Sequence, residues 1–130
     1  MKVRSILAGA TALAFLAAPV FAADYLGGAV KSVDIGGQQV LTDANGITLY
    51  IFDRDEPGVT NCYEQCAGNW PPLMADAAAT PEGDFTLVER TDGGSMWAYK
   101  GQPLYYWKDD VMPGDISGDG VGGVWHLALE

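Results

Sequence analysis

Two cysteines, Cys62 and Cys66, stand four residues apart in a chain of 130 residues with no other cysteine. On a helix, an i, i+4 pair shares one face with Cα atoms roughly 6 Å apart, within reach of a disulfide. In an oxidising compartment, two such residues default to one disulfide. Closing so short a loop contributes about 2 kcal/mol in the chain-entropy picture, less any helix strain. Reduced, the same pair offers two soft thiolates suited to Cu(I) or to redox exchange. His126 is the only histidine and lies in the apolar run Val124–Leu129. If it met Cys62 and Cys66, a Cys2His copper or zinc site would form, with Met74, Met96 or Met112 as a further soft ligand. A lone histidine on an apolar strand is more often packed and hydrogen-bonded.

Other residue types offer less. Asp115-Ile-Ser117-Gly-Asp119-Gly120 imitates the first half of a calcium loop, but His126 occupies the twelfth position, where an acid is needed. Asp and Gly are also ordinary turn residues, and the turn reading is preferred. Asp53, Asp55, Glu56, Asp109 and Asp110 concentrate negative charge that would attract a cation or sit in solvent. Trp70, Trp97, Trp107 and Trp125, with Tyr50, Tyr99, Tyr105 and Tyr106, would form a sugar platform if exposed. Buried, they are the core of a small β domain, which is the preferred reading. No Ser-His-Asp order, phosphate-binding loop or H-E-x-x-H pattern is present, and one histidine restricts general-base chemistry. The chain leans toward a non-enzyme, with no catalytic residue to name, and a paired-carboxylate hydrolase stays open with no pair singled out.

One phrase occurs twice and must position these residues. Gly46-Ile-Thr-Leu49-Tyr50-Ile-Phe52-Asp53-Arg-Asp55 and Gly101-Gln-Pro-Leu104-Tyr105-Tyr-Trp107-Lys-Asp-Asp110 share G-x-x-L-Y-x-[FW]-x-x-D. Trp70 and Trp125 keep the same offset, and Pro57-Gly58 and Pro113-Gly114 follow the two copies. An internal repeat constrains architecture before any single residue does. Within each copy, Tyr50 shares a face with Phe52, and Tyr105 with Trp107, whereas Leu49/Ile51 and Leu104/Tyr106 share the other. Both faces are apolar, so these strands are expected to be covered on both sides. The following acids, Asp55 and Asp110, are expected to accept backbone hydrogen bonds in the Pro-Gly turns.

Short β-branched and aromatic runs alternate with Gly, Asp and Pro clusters, the pattern of a mainly β domain. Strands are predicted at 29–33, 38–42, 47–52, 85–90, 96–99, 103–107 and 124–129, with turns at Gly36-Gly37, Asn45-Gly46 and Lys100-Gly101. One short helix is predicted near Cys62–Ala67, capped by Asn61 with Glu64 in the capping-box position. Residues 75–84 read as the link between repeat halves at about 38–74 and 85–129. Residues 114–123, with five glycines, read as a long turning loop. The expected fold is a compact antiparallel sheet pair or barrel-like sandwich built from the two repeats.

Residues 1–22 read as an export signal: Lys2 and Arg4, an apolar run from Ile6 to Leu16, then Val20-Phe21-Ala22. The apolar run is shorter than the roughly 20 residues a membrane span needs. Residues 23–130 are then expected to be one β-repeat domain, periplasmic or secreted. Without Lys2 and Arg4, five basic residues face seventeen acidic ones, a net charge of −12. Such a charge disfavours nucleic acid and anionic membranes.

The motif Y-x-[FWY]-x-x-D, present as Tyr50-Ile-Phe52-Asp-Arg-Asp55 and Tyr105-Tyr-Trp107-Lys-Asp-Asp110, resembles that of a bacterial family of secreted repeats and predicted lipoproteins. Asn61-Cys-Tyr-Glu-Gln-Cys66, Asn69-Trp-Pro-Pro-Leu73 and Gly118-Asp-Gly-Val-Gly-Gly-Val-Trp-His126 are similar to its supporting segments. The resemblance implies export and repeat architecture but no assigned activity. The chain departs from lipoprotein members in lacking a lipid-attachment cysteine. The C-x-x-x-C spacing separately resembles that of some periplasmic copper chaperones. The leading expectation is an envelope protein with a binding or structural role toward an envelope protein or small ligand. The rivals are a periplasmic copper or redox accessory using Cys62, Cys66 and His126, and a carbohydrate-binding or hydrolytic protein.

Overall fold

A computed structural model describes residues 23–130; the export signal read at 1–22 lies outside them. Ahead of the first repeat, β1 (Ala23–Tyr25) joins β2 (Val30–Ile35) and β3 (Gln38–Asp43) in an antiparallel meander. Ile35 pairs with Gln38, so Gly36 and Gly37 form a two-residue hairpin turn with φ of 61° and 89°. Only glycine adopts both values at little cost. The chain then returns through β4 (Tyr50–Phe52). The second repeat follows the same plan. β5 (Phe85–Glu89) and β6 (Ser95–Tyr99) form the hairpin, and β7 (Gln102–Pro103) extends its sheet. The last strand, β8 (Trp125–Leu127), pairs antiparallel with β4.

The protein is therefore mainly β, and its described residues form three small antiparallel sheets rather than a closed barrel. The two repeats are stitched at the motif strands. Tyr50 and Tyr105 exchange backbone bonds, Tyr50 N–H to Tyr105 O at 2.8 Å and the reverse at 3.0 Å. A near two-fold relation holds around this pair. Asp53 N–H donates to Val124 O, as Lys108 N–H donates to Asn69 O, each shifted by the repeat offset.

Alternation along the motif strands divides the interior in two. Tyr50, Phe52, Tyr105 and Trp107 contribute to one core with Val40, Cys62, Trp70, Met96, Trp125 and Leu127. Leu49, Ile51, Leu104 and Tyr106 contribute to the other, with Val30, Leu41, Phe85, Trp97 and Tyr99. A strand covered on both sides follows from its two apolar faces. Burial of each large side chain contributes about 1.5–3 kcal/mol toward folding.

Several local expectations need correction. The helix, α1, spans Gln65–Asn69 and not Cys62–Ala67. Glu64 precedes it with φ of 56° and ψ of −120°, outside the helical regions, which ends any helical path from Cys62. Asn61 does not cap it: its side-chain amide donates to Arg54 O at 2.8 Å. The strand predicted at 103–107 is regular only through Pro103. Beyond that, Tyr105 is held by isolated bridges to Tyr50 and Pro72. β1 was not predicted, because Ala23-Asp24-Tyr25 is too short to show a period. Asn45 keeps a negative φ in a turn where Asp43 Oδ1 accepts the Asn45 and Ile47 N–H groups. Lys100 and Gly101 both take positive φ. Among the described residues, no helix is long and apolar enough to cross a membrane.

Candidate functional site

The repeated motif is completed by the other copy. Tyr50 Oη donates to Asp110 Oδ2 at 2.5 Å, and Tyr105 Oη donates to Asp55 Oδ2 at 2.6 Å. Each carboxylate also holds the loop that follows it. Asp55 Oδ1 accepts the Asn61 N–H at 2.7 Å. Asp110 Oδ1 accepts the Ser117 N–H at 3.0 Å and the Ser117 hydroxyl at 2.7 Å. The turn glycines are exchanged in the same way. A Cβ on Gly46 would lie 3.2 Å from Pro113, and one on Gly101 would lie 3.6 Å from Pro57.

This environment sets the protonation chemistry. Burial first, and the Asp110 hydrogen bond next, hold the Tyr50 phenol well above the ordinary tyrosine range. Burial and Asp55 do the same to Tyr105, and burial and Asp43 to Tyr106. Burial also raises Asp55 above the usual carboxylate range, against the lowering effect of the Tyr105 and Asn61 bonds. These phenols stay protonated at neutral pH and serve as hydrogen-bond donors.

The aromatic residues form one continuous stack across the two copies. Trp70 lies flat on Trp125, with centroids 3.8 Å apart and planes 4° apart. Phe52 stacks on the far side of this pair against Trp125 at 4.1 Å, and Trp107 lies against Trp70 at 4.2 Å. Tyr50 meets Trp70 edge-on, as Tyr105 meets Trp125. The tryptophans are thus mostly core, with Phe52 and Trp107 half-buried at the ends. Gly118 makes the stack fit: a Cβ there would sit 2.9 Å from both Trp107 and Trp70.

Cys62 and Cys66 form a disulfide, with Cα atoms 5.2 Å apart. Cys62 is fully buried and lies before α1; Cys66 is half-buried within it. Arg90 anchors this loop to the second repeat. Its guanidinium donates to Cys62 O at 3.1 Å, pairs with Asp92 at 2.9 Å and covers the Tyr63 ring at 4.5 Å. His126 does not join the cysteines. Trp125 and Leu127 turn into the core that holds Cys62, and His126 between them is partly exposed and bonds Asp53 at 2.8 Å. Among the described residues, no group of three or more His, Cys, Asp and Glu converges as a metal-holding set.

The Asp115–Gly120 segment is a turn system. Asp115 Oδ2 accepts the Val111 and Met112 N–H groups, Ser117 turns to Asp110, and Asp119 Oδ1 accepts the Leu127 N–H. Met74 and Met112 are exposed, whereas Met96 is buried beside Arg90. Sequence reasoning placed Asp55 and Asp110 on backbone donors but missed their tyrosine partners. The one available signal was the identical spacing of Tyr and Asp in both copies.

No curated protein and no solved structure matches the chain. A family described as a secreted repeat of unknown function matches residues 30–74 and again 86–128. Those two segments carry the reciprocal Tyr–Asp ties and the paired tryptophans, and the chain belongs to this family of secreted repeats.

Proposed function

We propose that this exported protein is a non-enzymatic binding module of the cell envelope, residing in the periplasm. One observation carries this reading: the repeated motif closes on itself. The Tyr50 and Tyr105 hydroxyls are held by Asp110 and Asp55, which also hold their own loops. Groups so occupied build a scaffold and are not poised to react. Family membership supports export.

The test uses the exported protein and a small-molecule extract of the envelope compartment. NMR resonances should shift reversibly while the extract's composition, followed by mass spectrometry, stays constant. A change in composition that is abolished by His126→Gln or Asp53→Asn would make the protein an enzyme and sink this reading.

A copper or redox accessory role is a second reading. It rests on the half-buried Cys66 at one end of the disulfide. Two-electron reduction by an external dithiol, which is itself oxidised to a disulfide as its two protons pass to the cysteines, would release two thiols. Stoichiometric Cu(I) binding after reduction, lost in Cys62→Ser, would favour it.

A further inference from the structure

The two repeats differ at one sheet edge. At the repeat offset (46 to 101), β2 corresponds to β5. In the first repeat β2 is central. β3 flanks it on one side and β1 on the other, with Tyr25 opposite Val30 and Ala23 opposite Ser32. In the second repeat β5 pairs with β6 alone and forms the edge of its sheet. The residues at the β1 offset, Ala78-Ala79-Thr80, form no strand. Glu82 exchanges backbone bonds of 2.9 Å with Phe85, and the ladder stops there. Thr80, which that register would set opposite Leu87, makes no bond to it.

Ladder alternation fixes which groups of β5 are free. Arg90 N–H donates to Gly94 O and Lys100 N–H to Asp84 O, at the two ends of the β5–β6 pair. The bonded positions between them are therefore Thr86↔Ala98 and Val88↔Met96. Leu87 and Glu89 turn their N–H and C=O groups outward, and these have no partner among the described residues. Trp97 and Ser95, opposite them, bond away from β5, to Leu73 and Ala75. Sheet edges are ordinarily blunted by lysine, proline or a bulge. Phe85–Glu89 contains neither residue, and its register is unbroken. Thr86 and Glu89 are exposed, and Leu87 is half-buried.

Charge selects the occupant. From Met74 to Glu89 the chain carries Asp76, Glu82, Asp84 and Glu89 and no Lys, Arg or His. β2 offers Lys31 to Asp24 of β1 at 3.0 Å; β5 has Thr86 at the equivalent position and offers only acid. A second copy would bring the same acids to the same edge. We propose that the outer edge of β5 accepts an extended, lysine- or arginine-rich segment of a partner protein as an added antiparallel strand. Leu87 and Glu89 each supply one backbone donor and one acceptor. A cationic residue paired with Glu89 has its Cα about 5.5 Å away, close enough for the side chains to meet. The proposal rests on the binding-module reading and names its partner class.

The test is NMR titration of the exported protein with an acetylated, amidated hexapeptide alternating lysine and valine. One comparison peptide alternates glutamate and valine. The other is the lysine peptide N-methylated throughout, which keeps the charge and loses the donors. The lysine peptide should bind at least about tenfold more tightly than either. At saturation it should slow solvent exchange of the Leu87 and Glu89 amide protons at least about tenfold. Glu89→Pro removes an outward N–H and no β5–β6 bond, and should weaken binding at least about tenfold. Glu89→Gln loses the same charge but keeps the N–H, and should weaken it less. Glu56→Gln, an exposed change in the loop after the first motif, should leave it unchanged. Equal binding of the N-methylated peptide would reveal charge attraction alone and overturn the proposal. A dimer of the protein alone in sedimentation, with both amides protected, would make the occupant a second copy and overturn it too. If the lysine peptide fails while the envelope extract still shifts resonances, only the edge assignment falls. If neither binds, the binding-module reading falls with it.

Discussion

The two loops that follow the repeated motif solve one problem with different chemistry. In the first, Asp55 catches the Asn61 N–H, and the next residue, Cys62, is buried and bridged to Cys66. In the second, Asp110 catches both the N–H and hydroxyl of Ser117, and the next residue is Gly118, pressed between Trp107 and Trp70. One loop is held by a covalent bond, the other by an extra hydrogen bond and close packing. The frame fixes where a loop must be tied and leaves the means open.

The largest test fills the packed loop. Gly118→Ala should cost about 2.5 kcal/mol through overpacking. A neutral result in thermal unfolding would show that the stack can shift to make room. Removing a tie comes next. Asp110→Ala should destabilise by about 2 kcal/mol, since it strands the buried Tyr50 hydroxyl and releases both bonds that hold the exposed Ser117. Asp55→Ala, with fewer donors to strand, should cost less; urea denaturation would compare them, and equal costs would erase the distinction. Reducing the disulfide should lower stability by about 2 kcal/mol while the far-ultraviolet spectrum is retained. Loss of structure on reduction would mean the first loop has no second means of closure.

Smaller effects probe the symmetric part. Tyr50→Phe and Tyr105→Phe should each cost about 1 kcal/mol. Alkaline titration provides a check on the same pair. The folded phenols are held above the ordinary value of 10.0, so the native state retains protons that the unfolded chain loses. Their contribution is full below that value and falls as pH rises through the folded values. Phenolate absorbance from this pair should therefore appear together with unfolding. Separate early ionisation of either tyrosine would break the equivalence of the two ties. Smallest of all, His126→Gln should change stability by less than about 0.5 kcal/mol, because its Asp53 pair is exposed.

Much of this frame was legible in residue order. Two-sided apolar strands at Leu49–Phe52 and Leu104–Trp107 predicted a double core, because strand alternation is a local property. Gly36-Gly37 predicted its hairpin for the same reason. The start of α1 was misread because Glu64 carries no local sign that it will adopt positive φ. The Tyr–Asp partners were hidden by distance along the chain: they are 50 and 60 residues apart.

The exchanged ties leave each half unfinished on its own. A chain carrying one copy would present a tyrosine without its acid and an acid without its tyrosine. A second identical chain would supply both, in a self-complementary contact about a true two-fold axis. The present protein holds the geometry of such a pair on one chain, and the tether leaves its halves free to differ: one carries a disulfide, the other a tightly packed glycine.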